Sequence, residues 1–291
     1  MKKLKKKMNL FYIPALLFLA LFVIYPLGNA FYVSFTKWNG YSSHKTFIGI
    51  NNYIRMFKDK TFWISFRNTM LYGFGSTVLQ QIFGLLLAVF VNSDFKGRNI
   101  VRIIVYLPAM ISGLIMGYIL YFFFQYNHGV INEMLSWFDQ EPIDFMANSG
   151  RAVWIIVLIN TWQFVGLSML IYLAGLQGIS QTYYDAAQVD GANGWALFKN
   201  ITLPLLFPSI VTSTMFNLIG GLKLFDVIKA LTGGGPGNAT HSLSTYLTHE
   251  YFDSEKAGYS AAIGVFMFFM IMLISYVLNG MFRKKGEQIY G

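Results

Sequence analysis

Hydrophobic and polar positions alternate here on the scale of whole segments rather than single turns. Apolar runs long enough to cross a bilayer are separated by shorter polar stretches. Six runs can be placed, at about 8–35, 68–91, 101–124, 152–176, 205–230 and 259–282. Each is predicted to be a helix, because the bilayer core offers no water to an unpaired backbone group. The first run follows the five lysines of Met1–Lys7 and contains Pro14 and Pro26. It is longer than the apolar core of a cleaved leader, whose small-residue site would be Gly28-Asn29-Ala30, and is read as a retained span. The third run contains Pro108, and the fifth is interrupted by Asn217, Gly220, Gly221, Lys223 and Asp226. Short helices outside the bilayer are predicted at 50–57 and 241–252. Thr-Gly-Gly-Gly-Pro-Gly at 232–237 is predicted to be an external turn.

Between the fourth and fifth runs, 177–204 is weakly hydrophobic yet reads as structured. Thr182 and Asp185 have the spacing of a capping box. Ala186 and Ala187 favour helix, and Gly191 supplies a stop. Asn193 is placed to cap a second short helix carrying Trp195, Phe198 and Ile201, and Pro204 is expected to end it. Two short helices joined at a glycine are therefore expected, either lying on the bilayer or docking a soluble partner.

Composition agrees with a membrane location. Hydrophobic residues make up 55% of the chain and charged residues 12%, against about 25% charged in soluble domains. The net charge of +9 reflects orientation rather than nucleic-acid binding. About twelve of the 22 basic residues flank the two termini, the loop 92–102 and the stretch 177–204, which places all of these in the cytoplasm. Six basic residues in Thr36–Arg67 run against that bias, since this loop is then external.

With no cysteine, disulfides and thiol chemistry are excluded. No phosphate-binding P-loop occurs, so this chain is not expected to hold ATP. His44, His128, His241 and His249 lack metal-ligand spacing and are read as solvated loop residues; no metal or other cofactor is expected on this chain. The acidic residues of the loop 125–150 form no paired-carboxylate site, so an enzyme within the membrane finds no support.

Polar residues inside the spans carry more information, because a charge at bilayer depth costs about 3 kcal/mol on insertion scales. Asn160, Thr161, Trp162 and Gln163 fall in the fourth run, and Asn217, Lys223, Phe225 and Asp226 in or beside the fifth. One reading is interhelical hydrogen bonding, with Lys223 and Asp226 paired at i, i+3 or snorkelling outward. The other is a polar cavity for a neutral hydroxylated solute, with Trp162 or Phe225 against a ring face. Gln80 and Gln81 in the second run are weaker candidates for that cavity, with helix packing the favoured role.

Asp185-Ala186-Ala187, Asp190-Gly191-Ala192, Phe198, Ile201 and Leu203-Pro204 together resemble the EAA loop of ABC importer permeases. The departure is Asp185, where the family has Glu. Phe95-Lys96-Gly97-Arg98 with Leu107-Pro108, the run from Phe225-Asp226 to Pro236, and Gly258-Tyr259 to Ala262 are similar to the carbohydrate branch of that family. The resemblance implies an all-α, six-span permease subunit of a prokaryotic cytoplasmic membrane, one domain over 1–291, with a cytoplasmic coupling loop at 177–204. It implies a second permease chain, two cytoplasmic subunits that hold ATP and Mg²⁺, an external solute-binding protein and a sugar substrate. It makes Asp185, Ala186, Ala187, Asp190, Gly191, Ala192, Phe198, Leu203 and Pro204 the ATPase-coupling positions. It also strengthens the pathway reading of Asn160, Trp162, Gln163 and Asn217. A secondary transporter or channel is the competing class and would need no ATPase.

Overall fold

The computed structural model describes residues 12–290, so the lysine-rich start lies outside the described residues. Helix α1 is Tyr12–Ser34. A two-stranded antiparallel ribbon follows, β1 Thr36–Lys37 and β2 Thr46–Phe47, with Thr36 opposite Phe47. Then come α2 Asn51–Lys58, α3 Lys60–Asn92, α4 Arg98–Met110, α5 Gly113–Phe124, α6 Val130–Ser136 and α7 Ser149–Gln177. The second half holds α8 Gln181–Val189, α9 Gly194–Leu197, α10 Leu203–Leu205, α11 Phe207–Leu222, α12 Asp226–Leu231, α13 Leu243–Phe252 and α14 Ala257–Tyr290. Among the described residues five helices are long and apolar enough to cross a membrane, or six if α4 and α5 count as one broken span.

Two of the expected spans are not continuous. The run 101–124 is broken after Met110, and α4 and α5 are bent by 99°. Pro108 removes one backbone donor from the last turn of α4, and Ile111 and Ser112 are extended. The run 205–230 divides into α11 and α12 around Lys223–Phe225. Other spans begin earlier or end later than expected. Helix α3 starts at Lys60 because Asp59 caps it, the Thr61 N–H donating to Asp59 Oδ1 at 2.8 Å. Proline elsewhere is absorbed without a break: wide π-helical turns at Ala20–Ile24 and Phe198–Thr202 put Pro26 and Pro204 in the first turn of the next segment, where no N–H is required. Pro204 therefore does not end its helix.

Two compact units are distinguished. The first comprises the described residues up to Phe62 with Tyr246–Phe269. Its rings Phe57, Phe62 and Phe266 meet edge to face, with centroids 5.2–6.2 Å apart. The buried Asn52 carboxamide donates to Ser34 O and Thr36 O at 2.8 and 2.9 Å, tying α2 to the end of α1. The Asp59 carboxylate accepts from the Tyr246 hydroxyl and from the Tyr259 hydroxyl at 2.6 Å. Burial alone pushes this carboxyl up, but the two phenols and the amides of Thr61 and Phe62 outweigh it and hold it below its ordinary value.

The second unit, Trp63–Thr245 with Met270–Gly291, is built on α7. In α7, 56% of the most apolar window is buried, against 6% in α1. Helix α7 is apolar all round; neighbours cover most of its sides, and Trp154, Leu158 and Trp162 form one exposed apolar stripe. One cluster joins Ile156, Val157 and Ile159 to Tyr72, Val227 and Ile228; another joins Met169, Tyr172 and Leu173 to Ala88, Val91 and Leu206. Close approach needs a missing side chain at Gly166, where a Cβ would lie 2.3 Å from Val105 O on α4.

Two outcomes follow for thermal unfolding in detergent. Gly166→Leu should cost about 3 kcal/mol, because backbone blocks its side chain; Gly280→Leu, with nothing within 4 Å of its Cβ, should stay near wild type. Asp59 has a depressed folded-state pKa, so its stabilisation is full above the unfolded value of about 3.9 and disappears as pH falls through the folded value. Asp59→Asn should be less stable at neutral pH and should lose that acid-dependent part of the unfolding curve.

Candidate functional site

A cavity of ≈ 170 Å³ opens where the two helix breaks face α7. From α7 it takes Asn160, Gln163 and Phe164, at i, i+3 and i+4 on one helical face. From α11, the second break and α12 it takes Phe216, Asn217, Gly220, Lys223, Phe225 and Asp226. Gln80 of α3 and Gly113 of α5 complete its polar and small wall. Of the seven expected pathway residues, Asn160, Gln163, Asn217, Lys223, Phe225 and Asp226 lie together here. Trp162 does not line this cavity; it stands roughly 200° around α7 from Asn160 and is half exposed on another face.

The polar groups are tied into the helix packing. Asn160 Nδ2 donates to Ser76 Oγ at 2.7 Å, and Gln80 Nε2 donates to Asn160 O at 2.8 Å. Asn217 Nδ2 donates to Ser168 Oγ at 2.5 Å. Gln163 Nε2 donates to Ile111 O at 3.3 Å, supplying a partner to a carbonyl orphaned by the end of α4. Gln80 and Gln163 each keep a buried carboxamide oxygen with no partner. Gln80 is thus a lining residue, the less favoured of its two sequence readings. Gln81 does pack helices: it accepts from the Tyr172 hydroxyl.

Lys223 and Asp226 do not form an ion pair with each other among the described residues, contrary to the i, i+3 pairing that a continuous helix would give. The helix stops between them. Lys223 closes the C-terminal end of α11 and Asp226 opens α12, so each charge meets the complementary end of a helix dipole. Asp226 also lies against Gly113, where a Cβ would be 3.0 Å from its Cβ and Oδ2.

The second candidate region is 177–204. Helix α8 starts two residues earlier than a Thr182 cap implies: Ser180 is the N-cap, its Oγ accepting from Thr182 N at 3.4 Å. Asp185 therefore sits inside α8, exposed, with Gln181 Nε2 donating to it at 3.2 Å. No residue of α8 is buried. Gly191 has φ +79° and ends α8 in a Schellman turn, Ala192 N–H donating to Ala187 O at 2.9 Å and Gly191 N–H to Gln188 O at 3.0 Å. Asn193 caps α9, accepting from Ala196 N at 2.9 Å. Tyr184 and Thr202 share a hydroxyl hydrogen bond of 3.1 Å that braces α8 against the following π-helical turn. Trp195 stacks on Phe198 at 5.8 Å but stays largely exposed, as do Val189 and Tyr183. Ala186, Asp190, Gly191 and Leu203 are exposed, while Ala187, Ala192, Phe198 and Pro204 are half-buried.

Not every loop residue is solvated as expected. His241 is buried, its Nδ1 3.0 Å from Thr245 Oγ1. The glycine-rich stretch 232–237 is likewise fixed, with Thr240 Oγ1 donating to Gly235 O at 2.6 Å and the Tyr72 hydroxyl donating to Thr240 O at 2.9 Å.

Residues 80–286 match the family described as binding-protein-dependent transport system inner membrane component. The chain is 34% identical to the trehalose/maltose transport system permease protein MalF of Thermococcus litoralis, over 94% of this chain and 92% of that one. It is 33% identical to the probable starch degradation products transport system permease protein AmyD of Thermoanaerobacterium thermosulfurigenes, over 96% and 95%. A crystal structure of a bacterial alginate ABC transporter, in complex with alginate pentasaccharide-bound periplasmic protein, has a chain that superposes with a TM-score of 0.84 at 25% identity, covering 98% of this chain and 97% of that one.

Because Lys223 and Asp226 are held by separate helix ends, Lys223→Met and Asp226→Asn should destabilise additively, within about 0.5 kcal/mol, in a double-mutant cycle of detergent unfolding. A coupling above about 1 kcal/mol would restore the ion pair.

Proposed function

The chain belongs to the binding-protein-dependent transport system inner membrane component family, and from that premise we propose how its two regions divide the work of transport. It is a multi-pass membrane permease subunit of an ATP-driven, binding-protein-dependent importer for sugars or oligosaccharides. The 177–204 loop carries the coupling role: an exposed helix, a glycine turn and a second short helix offer an unshielded surface to a soluble subunit. The single observation behind this reading is that no residue of α8 is fully buried within its own chain, while its ends are fixed by a cap, a Schellman turn and the Tyr184–Thr202 bond. A surface that is rigid and uncovered is suited to transmit a push from a partner.

In this reading two cytoplasmic ATP-binding subunits hold ATP and Mg²⁺ and dock on Asp185, Ala186, Ala187, Asp190, Gly191 and Ala192. Phe198, Leu203 and Pro204 join the loop to α11. Both termini and the loop face the cytoplasm. A solute-binding protein delivers sugar from the other side. The cavity at Asn160, Gln163, Asn217, Lys223, Phe225 and Asp226 lines the sugar path, and the unpaired oxygens of Gln80 and Gln163 accept from sugar hydroxyls. At ≈ 170 Å³ it is smaller than the about 300–1,000 Å³ of a complete small-molecule site, which suits a site completed by a second permease chain. Trp162, outside the cavity, is left without a place in this path.

Gly191→Leu tests the coupling role. A leucine at φ +79° costs about 1–2 kcal/mol and fills the open space beside the turn. Sugar uptake by proteoliposomes and sugar-stimulated ATP hydrolysis should both be lost, whereas Gly191→Asn, which tolerates that φ, should retain part of each. Normal uptake by the leucine variant sinks the docking role.

A further inference from the structure

A second cavity, of ≈ 530 Å³, lies in the same unit but at the other end of α5 and α12. Gly113 and Asp226 of these helices face the inner cavity, whereas Tyr121 and Leu231 face this one. Eight positions of α5 separate Gly113 from Tyr121, about 12 Å of helix. The outer cavity also includes Asp144 and Ala147, just before α7, while the coupling loop follows the far end of α7. Helix α7 is 29 residues long, so the two regions stand about 40 Å apart, on opposite sides of a bilayer.

The chemistry of the lining is specific. Tyr121 and Tyr126 are 41% and 48% exposed. Their hydroxyls and the carboxamides of Gln125 and Asn127 make no hydrogen bond among the described residues. Asp144 commits Oδ1 to the N–H groups of Met146 and Ala147, at 3.1 and 3.0 Å, and keeps its other oxygen free. The site thus offers two aromatic faces, two carboxamides that donate and accept, and one carboxylate acceptor. No lysine or arginine lines it.

The walls are built rather than loose. Buried Asn132 donates to Tyr126 O at 3.1 Å and to Ile143 O at 3.0 Å, and accepts from Ile143 N at 2.9 Å. This clamps the two sides of the loop together. On the opposite wall the glycine-rich stretch is held by the 2.8 Å bond between Thr232 and Thr240.

We propose that this outer cavity is a second sugar station, which takes one ring of an oligosaccharide before the inner cavity receives the chain. An aromatic face suits the polarised C–H face of a pyranose, and free carboxamides and a carboxylate suit adjacent hydroxyls that both donate and accept. The absence of cations in the lining fits a neutral ring better than an acidic one. Helices α5 and α12 touch between the cavities, at Gly117 and Ala230, so the station holds sugar apart from the inner cavity rather than opening into it. The inference rests on the sugar-importer reading.

The test uses the assembled importer in proteoliposomes with its binding protein, and neutral gluco- and arabino-oligosaccharides of two to five units. Sugar molecules imported per ATP hydrolysed are measured for wild type, Tyr126→Ala and Tyr126→Phe. The alanine variant should lose about fivefold for chains of three or more units and little for disaccharides, while phenylalanine stays near wild type. An Asn127→Leu variant, changed at an exposed position, should show the same length-dependent loss. If no sugar of the panel is imported by wild type, the importer reading fails and the station with it. If wild type imports and the variants match it at every length, the station alone is overturned. A higher half-saturation for the binding protein at every length would assign the cavity to protein docking and also overturn the station.

Discussion

An orphaned carbonyl inside a bilayer has no water to turn to, and the hydrogen bond from Gln163 to Ile111 answers that constraint at the sharpest break in the fold. Helix α4 ends at Met110, where Ile111 and Ser112 leave helical geometry, and Pro108 weakens its last turn by removing a donor. The freed carbonyl is met from α7 by a side chain three residues beyond Asn160. That contact fixes where α5 begins. The start of α5 in turn places Gly113 against Asp226, and so sets the distance between the two interrupted spans. The cavity exists because two broken helices share one straight neighbour that can supply polar side chains to their ends.

The same logic explains the charges. A continuous helix through 205–230 would have carried Lys223 and Asp226 as a pair on one face, at a cost of about 3 kcal/mol for each charge left unpaired at bilayer depth. Breaking the helix between them offers another solution, since a cation at a helix C-terminus and an anion at an N-terminus are each favoured by about 0.3–1 kcal/mol. The charges stay available at the cavity wall instead of neutralising each other. Irregular backbone at membrane depth is tolerated where it lines a cavity; Lys223–Phe225 does so, and the break at Ile111–Ser112 brings Gly113 to the same wall.

Much of this was legible from residue order. The apolar runs located the spans, because burial in lipid demands long uninterrupted hydrophobicity. Gly191 and Asn193 were readable as stop and cap, since the αL conformation and the Asx cap are local properties. Asn160 and Gln163 share a face by helical spacing, and the same spacing would have added Phe164 and removed Trp162 from that face. Other features depend on partners distant in sequence. The 99° bend after Met110 needs Gln163 to be affordable, and a proline alone is equally compatible with a gentle kink. His241 reads as a loop residue until Thr245 and the packed glycine segment enclose it. Ser180, not Thr182, caps α8 because the chain leaves α7 at Gly178 with only a short connection to spare.

Helix α7 stays whole while the two spans that share its cavity face are interrupted, and this difference has a mechanical meaning. Helix α7 runs without a break from its Asn148 cap to Gly178, and its sides pack into both clusters of its unit. Glycine at position 166 lets α4 approach until backbone nearly touches backbone, which leaves no slack for the two to slide. Rearrangement is cheaper where the ladder of helical bonds is already open, at Ile111–Ser112, at Lys223–Phe225 and at the wide turn Phe198–Thr202. These three places lie on the two routes that leave α7, one through α4 into the cavity wall and one through the exposed loop into α11. A displacement of the loop therefore meets a stiff post on one side and a jointed path on the other. It follows the joints, and the joint it reaches beyond α11 is the one that carries Lys223 and Asp226.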